Sequence, residues 1–211
     1  MKKILGISGS PRKGGNSDIF LQHVLKGAGS ISTEAVHLRD YQFQSCIGCE
    51  RCRKDKECTG LMDGMQLIYP KIIESAGLVI VTPIYSYNVT VYIKALFDRM
   101  YAFYNYGDER PGPWSSRLAN QGRKAVFAVI GEQSDWREGG MDLTMEVMQR
   151  NITALGYEIV TELPVPGVFR KGKIKELEET LKQAEAAGQK LASRLDALSE
   201  RMRTIAAGKA A

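Results

Sequence analysis

CIGCERCRKDKEC, residues 46–58, holds all four cysteines of a 211-residue chain. The spacing is C-x2-C-x2-C-x5-C, which brings Cys46, Cys49, Cys52 and Cys58 within thirteen residues. Four thiolates so close together can surround a tetranuclear iron–sulfur cube, because short spacers let a loop wrap around it and Gly48 relieves crowding between the first two ligands. The same four sulfurs also satisfy the ligand count of a tetrathiolate zinc site. A third reading is free thiols with no shared role. The first three positions match a ferredoxin run, but the fourth does not: ferredoxins continue x3-C-P, whereas Cys58 comes five residues on and is followed by Thr59. Cys58 therefore closes the same cluster or stays unused. Arg51, Arg53, Lys54 and Lys56 offset thiolate charge in the first case and keep an exposed loop soluble in the second.

A second stretch able to do chemistry is GISGSPRKGGNS, residues 6–17. It follows a short apolar strand and precedes a helix, so backbone amides at the helix start, with the hydroxyls of Ser8, Ser10 and Ser17, the amide of Asn16 and the charge of Arg12, suit a phosphate. It is neither a nucleotide-triphosphate loop, since the GKS or GKT ending is missing, nor a dinucleotide fingerprint, since GxGxxG is absent. A solvent-facing glycine and serine turn is the plain alternative. A third stretch follows a buried strand that ends at Thr82. Its loop, Pro83, Ile84, Tyr85, Ser86, Tyr87 and Asn88, carries two aromatics and an amide that can stack on a planar ring and bond its edge, or instead cap the core or a subunit interface.

These loops need strands and helices to position them. Lys2–Ser10 reads as a strand, and the helix after it has Phe20, Leu21, Val24 and Leu25 on its apolar side. A second strand is expected over Thr33–Leu38, running into the cysteine loop. Met65–Glu74 reads as a helix with Met65, Leu67, Ile68, Ile72 and Ile73 as core candidates and Pro70 as the site of a kink or late start. The continuous run Leu78-Val79-Ile80-Val81 suits a strand buried on both faces, as does Ala125–Gly131. Helices follow over Thr90–Met100 and Met141–Leu155, and Tyr157–Leu163 reads as the last strand. Tyr101–Gly122, rich in glycine and proline, is expected to be a long loop and a candidate lid through Tyr101, Phe103, Tyr104 and Tyr106, or a subunit contact. Strands alternating with helices imply right-handed crossovers and a mainly parallel sheet covered on both faces.

Ile174, Leu177, Leu181, Ala184, Gly188, Leu191, Leu195 and Leu198 recur at helical steps. That stripe is longer than a small sheet requires, so its first half is expected to cover the sheet and its second half to extend onto a partner subunit. A break at Gly188 is the alternative.

The loop GSPRKGGNS, the cysteine run, TPIYSYNVTVYIKALFDR and the closing helix together resemble the iron-sulfur flavoproteins and related NAD(P)H-dependent FMN reductase-like proteins of flavodoxin-like fold. The resemblance covers about residues 3–190 and implies an α/β three-layer sandwich with a five-stranded parallel sheet of order 2-1-3-4-5. It implies FMN across the carboxyl ends of the strands, with Ser8, Ser10, Arg12, Asn16 and Ser17 on the phosphate and Pro83 to Asn88 on the flavin. The loop GEQSDWREGG departs from the small-residue turn of relatives, with Gly131, Glu132 and Ser134 as expected lining residues and Trp136 as a cover or subunit contact. Among these proteins the cysteines point to the iron–sulfur branch, hence to a 4Fe–4S cluster on all four.

The resulting expectation is a single domain over residues 1–200 with a tail at 201–211. It is an FMN-dependent electron-transfer oxidoreductase working between a ferredoxin-like donor and a small acceptor. Alternatives are an NAD(P)H-dependent FMN, quinone or nitro-compound reductase without a cluster, and a non-enzymatic flavin- or zinc-binding protein. The cysteine loop follows the second strand and reaches a neighbouring subunit's flavin more easily than its own, so a homodimer or homotetramer is expected. His23 and His37 read as ordinary helix and strand residues. With 29 Lys+Arg against 24 Asp+Glu, the charge is +5, scattered and without a nucleic-acid reading module. The short apolar start is no signal or membrane segment, so a cytoplasmic protein is expected, where clustered cysteines are metal ligands or redox thiols rather than structural disulfides.

Overall fold

The structure, a computed structural model, describes residues 3–135, 137 and 139–208, with the backbone alone for 198–208. The elements in chain order are β1 (Lys3–Ser8), α1 (Asn16–Gly27), β2 (Ser32–His37), α2 (Arg51–Asp55), α3 (Met65–Glu74), β3 (Gly77–Pro83), α4 (Val91–Arg99), β4 (Tyr104–Tyr106), β5 (Trp114–Ser116), β6 (Lys124–Ile130), α5 (Met141–Ala154), β7 (Glu158–Val165) and α6 (Glu178–Gly208). Strands β2-β1-β3-β6-β7 form one parallel sheet in that order. Counting only its own strands, this is the expected 2-1-3-4-5 order.

The central strands β1, β3 and β6 are buried almost throughout, which is why their sequences are apolar without alternation. Side chains on one face of the sheet, such as Leu5, Ile7, Ile80 and Phe127, pack with α3, α4 and α5. On the other face Ile4, Val79, Val81 and Val126 pack with α1 and α6. Among the described residues no helix is long and apolar enough to cross a membrane.

Three expectations are corrected. Leu67 and Ile73 of α3 are not core residues but 63% and 52% exposed, because the face of the helix turned to the sheet is Met65, Ile68, Tyr69 and Ile72. Tyr101–Gly122 is not a structureless loop: β4 and β5 pair antiparallel, Tyr106 opposite Trp114, with Tyr104 and Trp114 edge to face at 5.2 Å. Cross-strand aromatic pairing holds this ribbon despite its prolines and glycines.

The third concerns α6, which runs through Gly188 as one helix, so the alternative of a break there does not hold. There the missing side chain serves approach rather than flexibility: a Cβ on Gly188 would stand 1.9 Å from the Val24 carbonyl oxygen, and one on Gly27 2.0 Å from that of Glu185. The two glycines let α1 and α6 touch backbone to backbone. Nor does the second half of α6 leave its own subunit at Leu191 and Leu195, which are buried in the chain's own core. The side chain of Leu198 lies outside the described residues.

Candidate functional site

The first loop is built from the end of β1 outward. Gly9 donates its amide to Val81 of the neighbouring strand at 2.9 Å, and its carbonyl accepts from the Thr90 hydroxyl at 2.7 Å, the same hydroxyl that caps α4. The chain then turns through Gly14, at φ 63°, into α1, whose start has no side-chain cap. Its first amides therefore lack partners within the helix and face the loop.

Beneath the loop lies a charge that the sequence reading missed. Asp18, in the first turn of α1, accepts from Ser8 Oγ at 2.6 Å, the Gly14 amide at 2.8 Å and Arg39, whose Nη1 and Nη2 lie at 3.0 and 2.8 Å. Arg39 Nη1 also donates to the Ser10 carbonyl at 3.1 Å, and His37 Nδ1 stands 3.2 Å from Asp18. Burial raises the Asp18 carboxyl, but the hydrogen bonds from Arg39, Ser8 and Gly14 outweigh it and hold the group below the usual carboxylate range. Arg39 cancels a negative charge that would otherwise repel an anion here. An aspartate in a first helical turn is ordinary enough in sequence to carry no signal.

The loops after β1, β3 and β6 meet. A cavity of about 280 Å³ is lined by Ser10, Arg12, Asn16 and Ser17, by Pro83, Ile84, Tyr85 and Ser86, and by Glu132 after β6. Val168 and Phe169, which follow β7, complete it and were not foreseen. Arg12 donates to the Phe169 carbonyl at 3.2 Å with its guanidinium over the ring, and Asn16 donates to the Arg170 carbonyl at 3.0 Å, so the loop after β7 closes on the first loop. A second cavity of about 200 Å³ shares Ile84, Ser86 and Glu132 and adds Tyr87, Gln133 and Gly139.

Between them the β3–α4 loop makes a tight turn. Tyr85 and Asn88 exchange backbone hydrogen bonds at 2.9 and 3.1 Å while Ser86 and Tyr87 take positive φ of 48° and 64°. That left-handed pair is costly for residues other than glycine and leaves Tyr87 69% exposed.

Some expected contacts are placed elsewhere. Ser8 is fully buried and spends its hydroxyl on Asp18 instead of lining the cavity. Asn88 Oδ1 accepts from the Val89 amide at 2.8 Å, its own loop. Gly131 sits beneath the site, hydrogen-bonded to Val165 and Val168, and Ser134 is exposed and borders neither cavity. Trp136 lies outside the described residues.

The cysteine loop is built differently. Residues 42–50 have no regular structure, and the chain bends through left-handed positions at Gly48, Glu50 and Lys56 on either side of α2. All four thiols line one cavity of about 460 Å³. Cys46 and Cys49 are exposed, Cys58 half-buried and Cys52 buried. Burial pushes the Cys52 thiol up, and Cys58, Cys46 and Cys49 push it further, as expected of four thiols around one space. Gly60 lies so close that a Cβ there would stand 2.3 Å from Cys49 Sγ. Among the described residues no three His, Cys, Asp or Glu side chains stand in the geometry that holds a single metal ion. Four cysteines lining one cavity match the donor set of an iron–sulfur cluster. A buried donor, Nε of Arg99, has no partner, and Arg99 lines the same cavity.

The segment read as a lid borders this cavity and not the first one. Tyr101 and Tyr104 line it, and burial pushes the Tyr104 phenol up to about 12, so it stays neutral. Arg53 of α2 donates to Tyr101 Oη at 3.3 Å and the Gly107 carbonyl at 2.7 Å and lies over the Tyr106 ring. Arg110 pairs with Glu50, and Arg117 donates to the Lys56 carbonyl. The β4–β5 ribbon thus braces the cysteine loop.

Comparison with known proteins agrees with this arrangement. Residues 2–154 match the family described as NADPH-dependent FMN reductase. The chain is 34% identical over 146 residues to an iron-sulfur flavoprotein of Methanocaldococcus jannaschii, covering 68% of each chain. It is 32% identical over 184 residues to an iron-sulfur flavoprotein of Archaeoglobus fulgidus, covering 82% of this chain and 81% of the other. Among solved structures, an NAD(P)H:quinone oxidoreductase from Methanothermobacter marburgensis shares the fold with a TM-score of 0.68 at 18% identity, covering 89% of this chain and 98% of that one. The chain belongs to the NADPH-dependent FMN reductase family and, within it, to the iron-sulfur flavoproteins.

Proposed function

We propose that this FMN-dependent oxidoreductase carries a 4Fe–4S cluster on Cys46, Cys49, Cys52 and Cys58 and passes electrons between a ferredoxin-like donor and a small-molecule acceptor. When bound, FMN exchanges electrons singly or in pairs and the cluster singly, which lets paired and single transfers be joined. The chain's part is to bind, orient and screen. Ser10, Arg12, Asn16, Ser17 and the open start of α1 hold the phosphate, with Asp18 and Arg39 fixing the loop beneath it. Tyr85, Ser86, Tyr87 and Glu132 border the ring, and the left-handed turn at Ser86 and Tyr87 sets the angle of both aromatics.

The observation that carries the reading is that all four thiols line one cavity. The test is iron, sulfide and FMN content of anaerobically purified protein. About four iron and four sulfide per chain are expected beside one FMN. Full flavin without iron, with rapid oxidation of a nicotinamide, overturns it in favour of an NAD(P)H-dependent FMN, quinone or nitro-compound reductase, the reading favoured by the family match over residues 2–154 alone.

Helix α4 starts beside the flavin loop and its last residue lines the thiol cavity. Its nine residues span about 13 Å at 1.5 Å each. That separation within one chain supports a homo-oligomer in which the cysteine loop faces a neighbour's flavin. Mixing subunits lacking Arg12 with subunits lacking Cys58 tests this: regained electron transfer supports the oligomer, and none overturns it.

A further inference from the structure

Arg99 is among the largest fully buried side chains of the fold, at 2% exposed. At the end of a helix an arginine usually reaches water while complementing the helix dipole, and its guanidinium stays charged at any working pH. Burial here is balanced by specific bonds. Nη1 donates to the Gln44 carbonyl at 2.9 Å and to Asp63 Oδ2 at 2.7 Å, and Nη2 donates to Asp63 Oδ1 at 3.0 Å. Asp63 in turn accepts from the amides of Gln44 at 3.2 Å and Met65 at 3.1 Å. Burial raises its carboxyl, but the hydrogen bond from Arg99 and those two amides hold it below the usual range.

The positions of these partners give the pair its meaning. Gln44 precedes Cys46 and Asp63 follows Cys58, so one guanidinium joins both stems of the cysteine loop. The Gly64 amide bonded to the Gln42 carbonyl at 2.7 Å closes the same base. The carbonyl of Arg99 accepts from Tyr69 Oη at 3.0 Å, and that phenol neighbours Cys58. The side chain also lines the thiol cavity, with Nε buried and unpartnered.

We propose that Arg99 is the positioning residue of the cysteine loop. It locks the two stems together so that Cys58 closes on Cys46, Cys49 and Cys52, and it lends a fixed positive charge to the occupied cavity. This rests on the cluster reading above.

The experiment uses Arg99→Met, Arg99→Lys and Asp63→Asn in the full chain, each loaded anaerobically with iron and sulfide. In Arg99→Met, iron is expected to pass to a chelator about tenfold faster or more, while FMN content matches the wild type. Its cluster is expected to have a lower reduction potential, because added electrons meet an unpaired Asp63 without the guanidinium. Arg99→Lys, which keeps charge but not the fork, is expected to restore the potential more than the iron retention. Unchanged iron loss and potential in Arg99→Met overturn the proposal.

Should Arg99→Met fail to fold, Asp63→Asn carries the test. Its faster iron loss supports the clamp and wild-type retention overturns it. Alkylation of the cluster-free proteins separates this inference from the cluster reading. Cys52 and Cys58 are expected to react faster in the variants than in the wild type whether or not the wild type takes up iron, and equal rates overturn the clamp by themselves.

Discussion

The loop around Ser10–Ser17 and the loop around Cys46–Cys58 both leave the sheet at a strand end and both line a cavity with polar or soft groups. They are held in opposite ways. The first joins a strand to a helix and is tied to the other strand ends around it: Gly9 to β3 and Thr90, Asp18 in the first turn of the very helix it precedes, Arg39 just past the adjoining strand, and Arg12 and Asn16 to the loop after β7. The second has little regular structure of its own and depends on arginines and acids from afar, Arg99 at the end of α4, Arg110 and Arg117 in and after the ribbon, and Asp63 beyond the last cysteine. A loop between a strand and a helix inherits its position from both. The cysteine loop, without regular structure over residues 42–50, takes its position from braces on other elements.

Removing one cysteine should break the comparison most. Cys58→Ser is expected to lose essentially all bound iron while keeping FMN, and a variant that retains a full complement of iron would remove Cys58 from the ligand set. Next comes Asp18→Ala, which leaves Arg39 buried without its main partner. A loss of about 3 kcal/mol in stability is expected, read by urea unfolding, together with weaker FMN binding and unchanged iron content. A fall in iron content equal to the fall in FMN would show that the two loops are not independently held.

Arg12→Ala touches the anion site without disturbing the buried pair. FMN affinity is expected to drop about tenfold, more at low salt than at high, as measured by fluorescence titration. Equal affinities in the two proteins would place the phosphate elsewhere.

Acid should act on both loops together. Asp18 and Asp63 are each held below the usual carboxylate range, so the stability they contribute is fully present above that range and is lost as pH falls through their depressed values. Thermal midpoints are therefore expected to be flat from about pH 8 to about pH 5 and to fall below about pH 4. Asp18→Asn and Asp63→Asn should each flatten that fall, and a wild-type midpoint that improves below pH 4 would contradict the assignment. The smallest effect belongs to Ser86→Gly, which relieves a left-handed residue and is expected to raise stability by less than about 1 kcal/mol while loosening FMN binding a few-fold.

The same contrast explains what could be read from the residues alone. The buried runs of β3 and β6, the phosphate loop and the thiol spacing are local patterns, and local patterns survive in one dimension. Asp18 and Arg99 do not announce themselves, since an acid in a first turn and an arginine in a last turn are what any exposed helix shows. Their roles come from burial and, for Arg99, from partners far away in sequence. The three-residue strands of the ribbon hide among glycines and prolines and are recognised only by their cross-strand aromatics. Gly188 looked like a place to break a helix, yet it is the place where α1 and α6 come closest. Val168 and Phe169 complete the cavity at the first loop from a segment with no motif at all.

Whether the four thiols hold a cluster in a chain that also carries a flavin site is read out by low-temperature paramagnetic resonance of the anaerobically purified, chemically reduced protein. The account predicts an iron–sulfur signal that integrates to about one cluster per chain, present in the wild type and in Arg12→Ala and absent in Cys58→Ser. A wild-type sample with full FMN and no iron–sulfur signal would contradict it.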